Sequence, residues 1–267
     1  MKKVLVTGGA RGLGKSICHM FDKHGYMVII NYNHSEADAI KLRDELNNAL
    51  IYKADVSNEE EVRDMFDAIK KDVGNIDCII NNAGICKDNI LKDKDSDEFL
   101  SVLKTNLVGT FLVCKYGSKL INEGNIVNVA SNNIYNGSYI ESVDYDASKS
   151  GVVSLTHNFA KEFAPFIRVN AVAPGWIDTD MNKDMMTSYK KSESDKILLG
   201  RFANANEIAD AIFFLASNTY VNDCILKIDG GITKKQRRRV YYARHVGHGS
   251  FVAAVSAINI EFISIYG

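Results

Sequence analysis

The segment KVLVTGGARGLGKS, residues 3–16, constrains the fold more than any other stretch of the chain. A short run rich in β-branched residues ends in Thr7 and two glycines. Apolar residues then recur at Ile17, Met20 and Phe21, a helical spacing. A strand, a glycine turn and a helix start, in that order, point backbone N–H groups and the positive end of a helix dipole at one spot, where phosphate binds. The same residues fit two templates. Gly9, Gly14, Lys15 and Ser16 satisfy G-x-x-x-x-G-K-[ST], the phosphate loop of nucleotide hydrolases. Thr7, Gly8, Gly12 and Gly14 equally fit a turn that holds a dinucleotide.

The rest of the chain decides the architecture. Short apolar runs alternate with helical patterns: YMVIINY, ALIYKADV, IDCIINNAG, GNIVNVAS, IRVNAVAPG and CILKIDGG read as strands. Between them, helices are expected at 15–24, 36–48, 58–71, 96–121, 144–163 and 205–216. Gly25 fits a helix stop. Ser57, with Glu60 three residues on, fits a capping box. Strands that are apolar throughout and joined by helices imply a parallel sheet covered on both faces. With right-handed crossovers this is an α/β, doubly wound, Rossmann-like fold of three layers in a single domain.

Composition fits that picture and bounds the partners. The chain has 267 residues, 46% of them hydrophobic, and a formal net charge of −1, so no global field recruits nucleic acid or a membrane surface. Five scattered cysteines without CxxC spacing suit a reduced, cytoplasmic protein better than a disulfide framework. No metal-ligand spacing, signal peptide or membrane-length apolar run is evident. The only break in composition falls at Gly231. Residues 234–267 carry six Lys and Arg against Glu261, and end in an apolar stretch. Residues 1–233 are therefore expected to form the domain. The tail is read as a solvated extension, with nucleic-acid or acidic-surface binding as the alternative.

The phosphate-loop template also needs a metal-holding Asp and a way to position an attacking group. Asp55, in YKADVS, is the candidate, and nothing after it supplies the rest. The dinucleotide template gathers more along the chain. Tyr145 and Lys149, in YDASK, share a helix face at i and i+4, and a lysine beside a tyrosine lowers the phenol pKa. Ser131 lies just past the fifth strand, where ligands of doubly wound sheets bind. Asn106 is a polar residue amid an apolar helical stripe. Taken singly, these are also a solvated helix face and a core asparagine. A scaffold that binds a dinucleotide without catalysis stays open as a third class.

Together the residues resemble the short-chain dehydrogenase/reductases. TGGARGLG, ADV, NNAG, Asn106, Ser131, Tyr145-x-x-x-Lys149, PGWIDTDM and LLGRFANANEIADAIFFLAS…LKIDGG follow in family order over residues 1–232. NNAGICKDNIL and LGRF are most similar to bacterial 3-oxoacyl-[acyl-carrier-protein] reductases of fatty acid biosynthesis. The resemblance implies NAD(P)-dependent reduction of a ketone to a secondary alcohol, or the reverse. It implies that Tyr145 exchanges the proton, Lys149 lowers its pKa and bonds the nicotinamide ribose, Ser131 bonds the substrate oxygen, and Asn106 holds a relay water. It implies cofactor contacts at Gly8, Ala10, Arg11, Gly12, Leu13 and Gly14, at Asn33, and at Asp55 and Val56 beside the adenine. Further contacts are implied at Asn82, Ala83 and Gly84, at Tyr145 and Lys149, and at Pro174, Gly175, Ile177 and Thr179. Residues 180–199 should form a mobile lid whose methionines line the pocket or pack on the surface, and a homotetramer or dimer is implied.

Several residues depart from the acyl-carrier pattern. The spacing from Ser131 to Tyr145 is one residue longer than expected, and the intervening loop lacks the small Gly-Gln segment. Asn125 stands where an arginine is common, and no basic docking residue is evident around FAPFIRVN. A steroid, a sugar or another small secondary alcohol therefore stays open beside a 3-oxoacyl thioester. Cys86 can border the pocket or be a buried structural thiol. The second strand ends in neutral Asn31 and Asn33, Glu36 opens the next helix, and Arg11 can pair with a 2′-phosphate. These favour NADP(H), with NAD(H) as the alternative.

Overall fold

A computed structural model describes residues 1–136, 139–179 and 185–232. The basic-then-apolar tail, residues 234–267, lies outside the described residues, as do parts of the two segments flanking the expected substrate side. Seven parallel strands form one sheet in the order β3-β2-β1-β4-β5-β6-β9. They are β1 (Lys3–Val6), β2 (Met27–Tyr32), β3 (Ala49–Lys53), β4 (Cys78–Asn81), β5 (Gly124–Val129), β6 (Ile167–Pro174) and β9 (Ile225–Ile228). A two-residue pair, β7 (Ile177–Asp178) and β8 (Ala203–Asn204), stands beside it.

Alternation along each strand builds two cores. Val4 and Val6 of β1 face one side with Val28, Ile30, Val127 and Val172. There they meet Ile17 and Phe21 of α1 (Gly12–Lys23) and Ile208, Ile212 and Leu215 of α9 (Ala205–Ser217). Leu5 faces the other side with Ile29, Ile79, Ile126 and Val169. They pack on Val62, Phe66 and Ile69 of α3 (Glu59–Asp72) and on Leu112 and Val113 of α5 (Gly109–Gly117). Each such fully buried aliphatic side chain contributes about 1.5–3 kcal/mol by leaving water, which is why the sheet is apolar on both faces.

Local chemistry moved some boundaries. The cap of α3 is Asn58, not Ser57: the Asn58 side-chain oxygen accepts from the Glu60 and Glu61 N–H groups at 3.0 and 3.3 Å. Ser57 instead gives its hydroxyl and its N–H to Asp55 at 2.7 and 2.8 Å, so its side chain is engaged there and not with the helix N–H groups. The helix of 36–48 ends earlier, as α2 (Glu36–Glu45). The long helix of 96–121 is not uniform. α4 (Ser96–Leu103) passes through a π turn at Lys104–Val108 into α5, with Gly109 N–H reaching back to Lys104 O. The helix at 144–163 is α7 (Val143–Glu162), and a short α6 (Asn133–Asn136) and α8 (Thr187–Lys196) lie before and after it. Met186, expected among residues that line a pocket or pack on the surface, is 73% exposed at the start of α8. Among the described residues no helix is long and apolar enough to cross a membrane.

Candidate active site

The glycine turn joins β1 to α1 at the carboxyl edge of the sheet. Gly8 and Gly12 have φ of +59° and +52°, a conformation L side chains rarely adopt. A Cβ on Gly14 would run into the Gly8 carbonyl oxygen, so that position must stay bare. The turn is stitched to its neighbours. The Asn31 side-chain oxygen accepts from Gly8 N–H at 3.3 Å, and its amide donates to Ala54 O at 3.0 Å. The Thr7 hydroxyl accepts from the N–H groups of Asn82 and Ala83, and the Asn82 amide donates to the carbonyls of Thr7 and Gly8. No side chain caps α1, and its first turn holds no acid. The donors of Gly12, Leu13 and Gly14 thus remain for an anionic ligand, and a dinucleotide pyrophosphate fits that cradle.

The phosphate-loop template fails here on geometry. Its lysine, Lys15, turns away from the loop to Glu45 of α2, at 2.8 Å. Its metal-holding Asp, Asp55, bonds Ser57 and follows β3, which β2 separates from β1.

Most of the other expected cofactor residues border the same edge. Asn33 is half-buried just past β2, and Arg11 is exposed with its Nε 3.8 Å from Asp38. Val56 is buried, and its side chain would meet a Cβ on Gly109 at 2.8 Å. Ala10 is buried against Tyr32 and Ala39. Pro174 ends β6, Gly175 donates to Ile228 O, and Ile177 begins β7. Thr179 lies 3.8 Å from where a Gly12 Cβ would stand, so the loop after β6 reaches back to the glycine turn.

The four candidate catalytic residues converge beyond β4 and β5. The Ser131 hydroxyl stands near enough to that of Tyr145 to oppose the rise in its pKa, and α7 carries Tyr145 on its first turn. Lys149, buried, donates to Val129 O at 2.7 Å and sits 5.6 Å from the centre of the Tyr145 ring. Asn106, fully buried in the π turn, clamps Ile85: it accepts from Ile85 N–H at 2.8 Å and donates to Ile85 O at 2.9 Å. It also donates to Ser148 at 3.1 Å. Gly84 separates it from Lys149, since a Cβ there would be 3.2 Å from Asn106 Oδ1 and 3.5 Å from Lys149 Nζ.

Burial raises the Tyr145 pKa above the usual phenol range, the charges at Cys86, Asp146 and Asp88 push the same way, and the Ser131 hydroxyl opposes them. The ammonium points to a carbonyl rather than to the phenol oxygen, and burial pushes Lys149 itself down to about 8. Cys86 is not a buried structural thiol: the residue is exposed, its thiol donates to Asp88 at 3.1 Å, and it borders the site.

Sequence reasoning missed several supporting groups. Thr7 and Asn31 hold the glycine turn, as described. Lys94, almost fully buried, donates to Asp144 and Glu98 at 2.8 Å each and to Lys87 O at 2.7 Å. Asp144 in turn accepts from the Tyr145 N–H at 2.8 Å, which ties the loop after β4 to the start of α7. Lys94 reads as an ordinary surface lysine, and only its separation of 50 residues from Asp144 hides the pair.

A family described as enoyl-(acyl carrier protein) reductase matches residues 8–233. The 3-oxoacyl-[acyl-carrier-protein] reductase of Bos taurus is 37% identical over 235 residues, covering 86% of this chain and 98% of its own. The chain belongs to the short-chain dehydrogenase/reductase family. Carbonyl reductase family member 4 of Xenopus laevis is 38% identical, covering 87% of this chain and 98% of its own. A variant of a Serratia marcescens short-chain dehydrogenase/reductase superposes with a TM-score of 0.82 at 28% identity, covering 86% of this chain and 97% of its own. As a short-chain dehydrogenase/reductase, the protein is an oxidoreductase that acts on carbonyl or alcohol groups with an NAD(P) cofactor. Membership also sets aside the nucleotide hydrolase and the non-catalytic scaffold.

Within this short-chain dehydrogenase/reductase, the Asn106 clamp has a direct test. Asn106→Ala leaves the Ile85 N–H without its acceptor, a loss of about 1–3 kcal/mol. The urea midpoint should fall accordingly. An unchanged midpoint would show that the clamp does not hold the loop after β4.

Proposed function

We propose that the protein is an NADP(H)-dependent carbonyl reductase that converts a short 3-oxoacyl thioester or a similar β-keto compound to its secondary alcohol. The observation that carries this reading is the gathering of Ser131, Tyr145 and Lys149 at the sheet edge that also carries the glycine cradle. Ser131 and Tyr145 present two hydroxyls to one substrate oxygen. Gly8–Gly14 would hold the cofactor's pyrophosphate and Pro174–Thr179 its nicotinamide end, and a bound cofactor would supply the hydride. The chain's own residues handle orientation and the proton.

Tyr145 donates its proton to the carbonyl oxygen as negative charge develops there, and Ser131 stabilises that oxygen by a second hydrogen bond. Burial holds the Tyr145 phenol above its usual pKa range, so Tyr145 carries its proton at neutral pH. Lys149, cationic below about pH 8, would hold the nicotinamide ribose. Asn106 fixes the loop that passes Lys149 at Gly84, and a water beside it relays the replacement proton.

NADP(H) is favoured because the corner after β2 holds no engaged acid for a ribose hydroxyl. Glu36 accepts from the Tyr32 hydroxyl at 3.2 Å, and Arg11 is exposed there. Asp38 beside Arg11 supports NAD(H) as the second reading. The thioester reading rests on the relatives' names. A docked acyl-carrier protein gains no support from the two expected positions: Asn125 is buried in β5, and Arg168 spends its guanidinium on the carbonyls of Leu215, Ala216 and Val221. A homo-oligomer, tetramer or dimer, is supported by half-exposed Val108 and Phe111 on the face that α5 shares with Gly151 and Leu155 of α7.

Tyr145→Phe should lower NADPH-dependent reduction of acetoacetyl-CoA by about 10²–10⁴-fold, the range for losing a positioned general acid, with NADPH binding unchanged. Turnover within a factor of a few of the wild type removes Tyr145 from this role. Arg11→Ala should weaken NADPH about tenfold more than NADH in fluorescence titrations, the loss of one hydrogen bond to a charged group. Equal weakening of both would favour the NAD(H) reading.

A further inference from the structure

The helix that carries Tyr145 begins without the usual cap. Tyr145 is the third residue of α7, where a backbone N–H has no carbonyl of its own helix to meet; the first helical bond runs from Asp146 N–H to Ser142 O. The side chain of the N-cap residue, Ser142, does not take the free N–H, since its hydroxyl donates to Tyr139 O at 3.2 Å. The acceptor comes instead from the preceding residue: Asp144 Oδ1 takes the Tyr145 N–H at 2.8 Å. The Tyr145 carbonyl in turn accepts from the Ser148 hydroxyl at 2.7 Å, and Ser148 accepts from Asn106. The Tyr145 backbone is thus held at both its N–H and its C=O.

Asp144 is fully buried, so its second oxygen also needs a donor. Lys94, whose side chain is 2% exposed, supplies it. Its Nζ donates to Asp144 Oδ2 and Glu98 Oε1 at 2.8 Å each and to Lys87 O at 2.7 Å, which uses all three ammonium hydrogens. Burial alone would lower the Lys94 pKa, but the bonds to Asp144 and Glu98 outweigh it and hold the pKa above its ordinary value. The cation therefore stays charged at neutral pH. Lys87 sits between Cys86 and Asp88, whose charges act on Tyr145, and Asn89 of the same loop donates its N–H to Glu141 O at 3.0 Å. Both partners of Asp144 are donors, which fixes its chemistry. A carboxylate offers an acceptor to each. An asparagine offers only one, and would set its amide against either the ammonium or the Tyr145 N–H.

We infer that Lys94 and Asp144 act as a matched pair that positions Tyr145, joining the loop after β4 to the first turn of α7 so that the proton donor is held in one place. The inference rests on the reading of Tyr145 as the proton donor and adds two positioning residues to it. Both are buried and act through the Tyr145 backbone. Removing one member leaves a buried charge unmatched or a donor facing a donor, and the first turn of α7 must shift to relieve it. Removing both relieves it without a shift. Methionine fills the length of the lysine, and asparagine accepts from the Tyr145 N–H with its amide turned toward Glu98.

The test compares four full-length proteins with NADPH and acetoacetyl-CoA: wild type, Lys94→Met, Asp144→Asn and the double variant. Each single change should lower kcat about 10–100-fold, the scale of a misplaced reacting group. KM and the NADPH dissociation constant should stay within about twofold, since the ground-state contacts are untouched. The double variant should recover, with kcat about tenfold above either single. A Lys94→Met protein that loses only its urea midpoint and keeps its kcat would make the pair merely structural and overturn the inference, as would a double variant no faster than the singles. If Lys94→Met does not fold, Asp144→Asn against the double variant makes the same comparison. Amide exchange, followed by mass spectrometry in a peptide spanning residues 140–149, reads the pair without turnover. Exchange should be faster in each single variant and slow again in the double. A wild type that reduces no β-keto compound would sink the reductase reading alone; exchange then decides the pairing, and equal rates in all four proteins overturn it.

Discussion

Everything in the site depends on how the turns after β1 and β4 are locked together. The Thr7 hydroxyl accepts from two successive N–H groups of the β4 turn, and Asn82 returns two bonds to the β1 turn. Ala83 comes so close to Gly8 that a Cβ on the glycine would stand 3.0 Å from the Ala83 Cα. This contact sets the cradle of Gly8–Gly14 at a fixed distance from Gly84, where a Cβ would meet both Asn106 and Lys149. Backbone hydrogen bonds between adjacent parallel strands supply the rigidity, and the absence of side chains at the glycines supplies the room.

Burial then decides the electrostatics. It pushes the phenol of Tyr145 up and the ammonium of Lys149 down to about 8. Both shifts favour the neutral form, so the pair before ligand binding is set against charge rather than toward a phenolate. A protonated phenol beside Ser131 has a proton to give to a carbonyl oxygen. The acids around the pair are themselves restrained. Asp144 is matched by Lys94 and gives its second oxygen to the Tyr145 N–H, which holds the first turn of α7 in register with the loop after β4.

Much of this was legible in the sequence because the strongest signals are local. Apolar strands alternating with amphipathic helices give a parallel sheet, and Tyr145 and Lys149 four residues apart on a helix must share a face. What escaped is what depends on a competing partner or on distance along the chain. Ser57 and Asn58 are equally good caps in isolation, and Asp55 decided between them by taking the serine. KTNLVGTF keeps helical spacing, so the π turn that aims Asn106 at Ile85 left no trace in the periodicity. The direction of the Lys149 ammonium depends on a carbonyl of β5, and the Tyr139–Glu193 bond joins residues 54 positions apart.

The most direct test of this account is hydride transfer itself. NADPH carrying deuterium at the transferable position of nicotinamide C4 is incubated with the full chain and acetoacetyl-CoA, and the product is examined by mass spectrometry. One deuterium is expected on the carbon that bore the ketone, with one NADPH consumed per alcohol formed. Binding of ATP–Mg²⁺ with no binding of NADPH or NADH, and no label in any β-keto substrate, would contradict it.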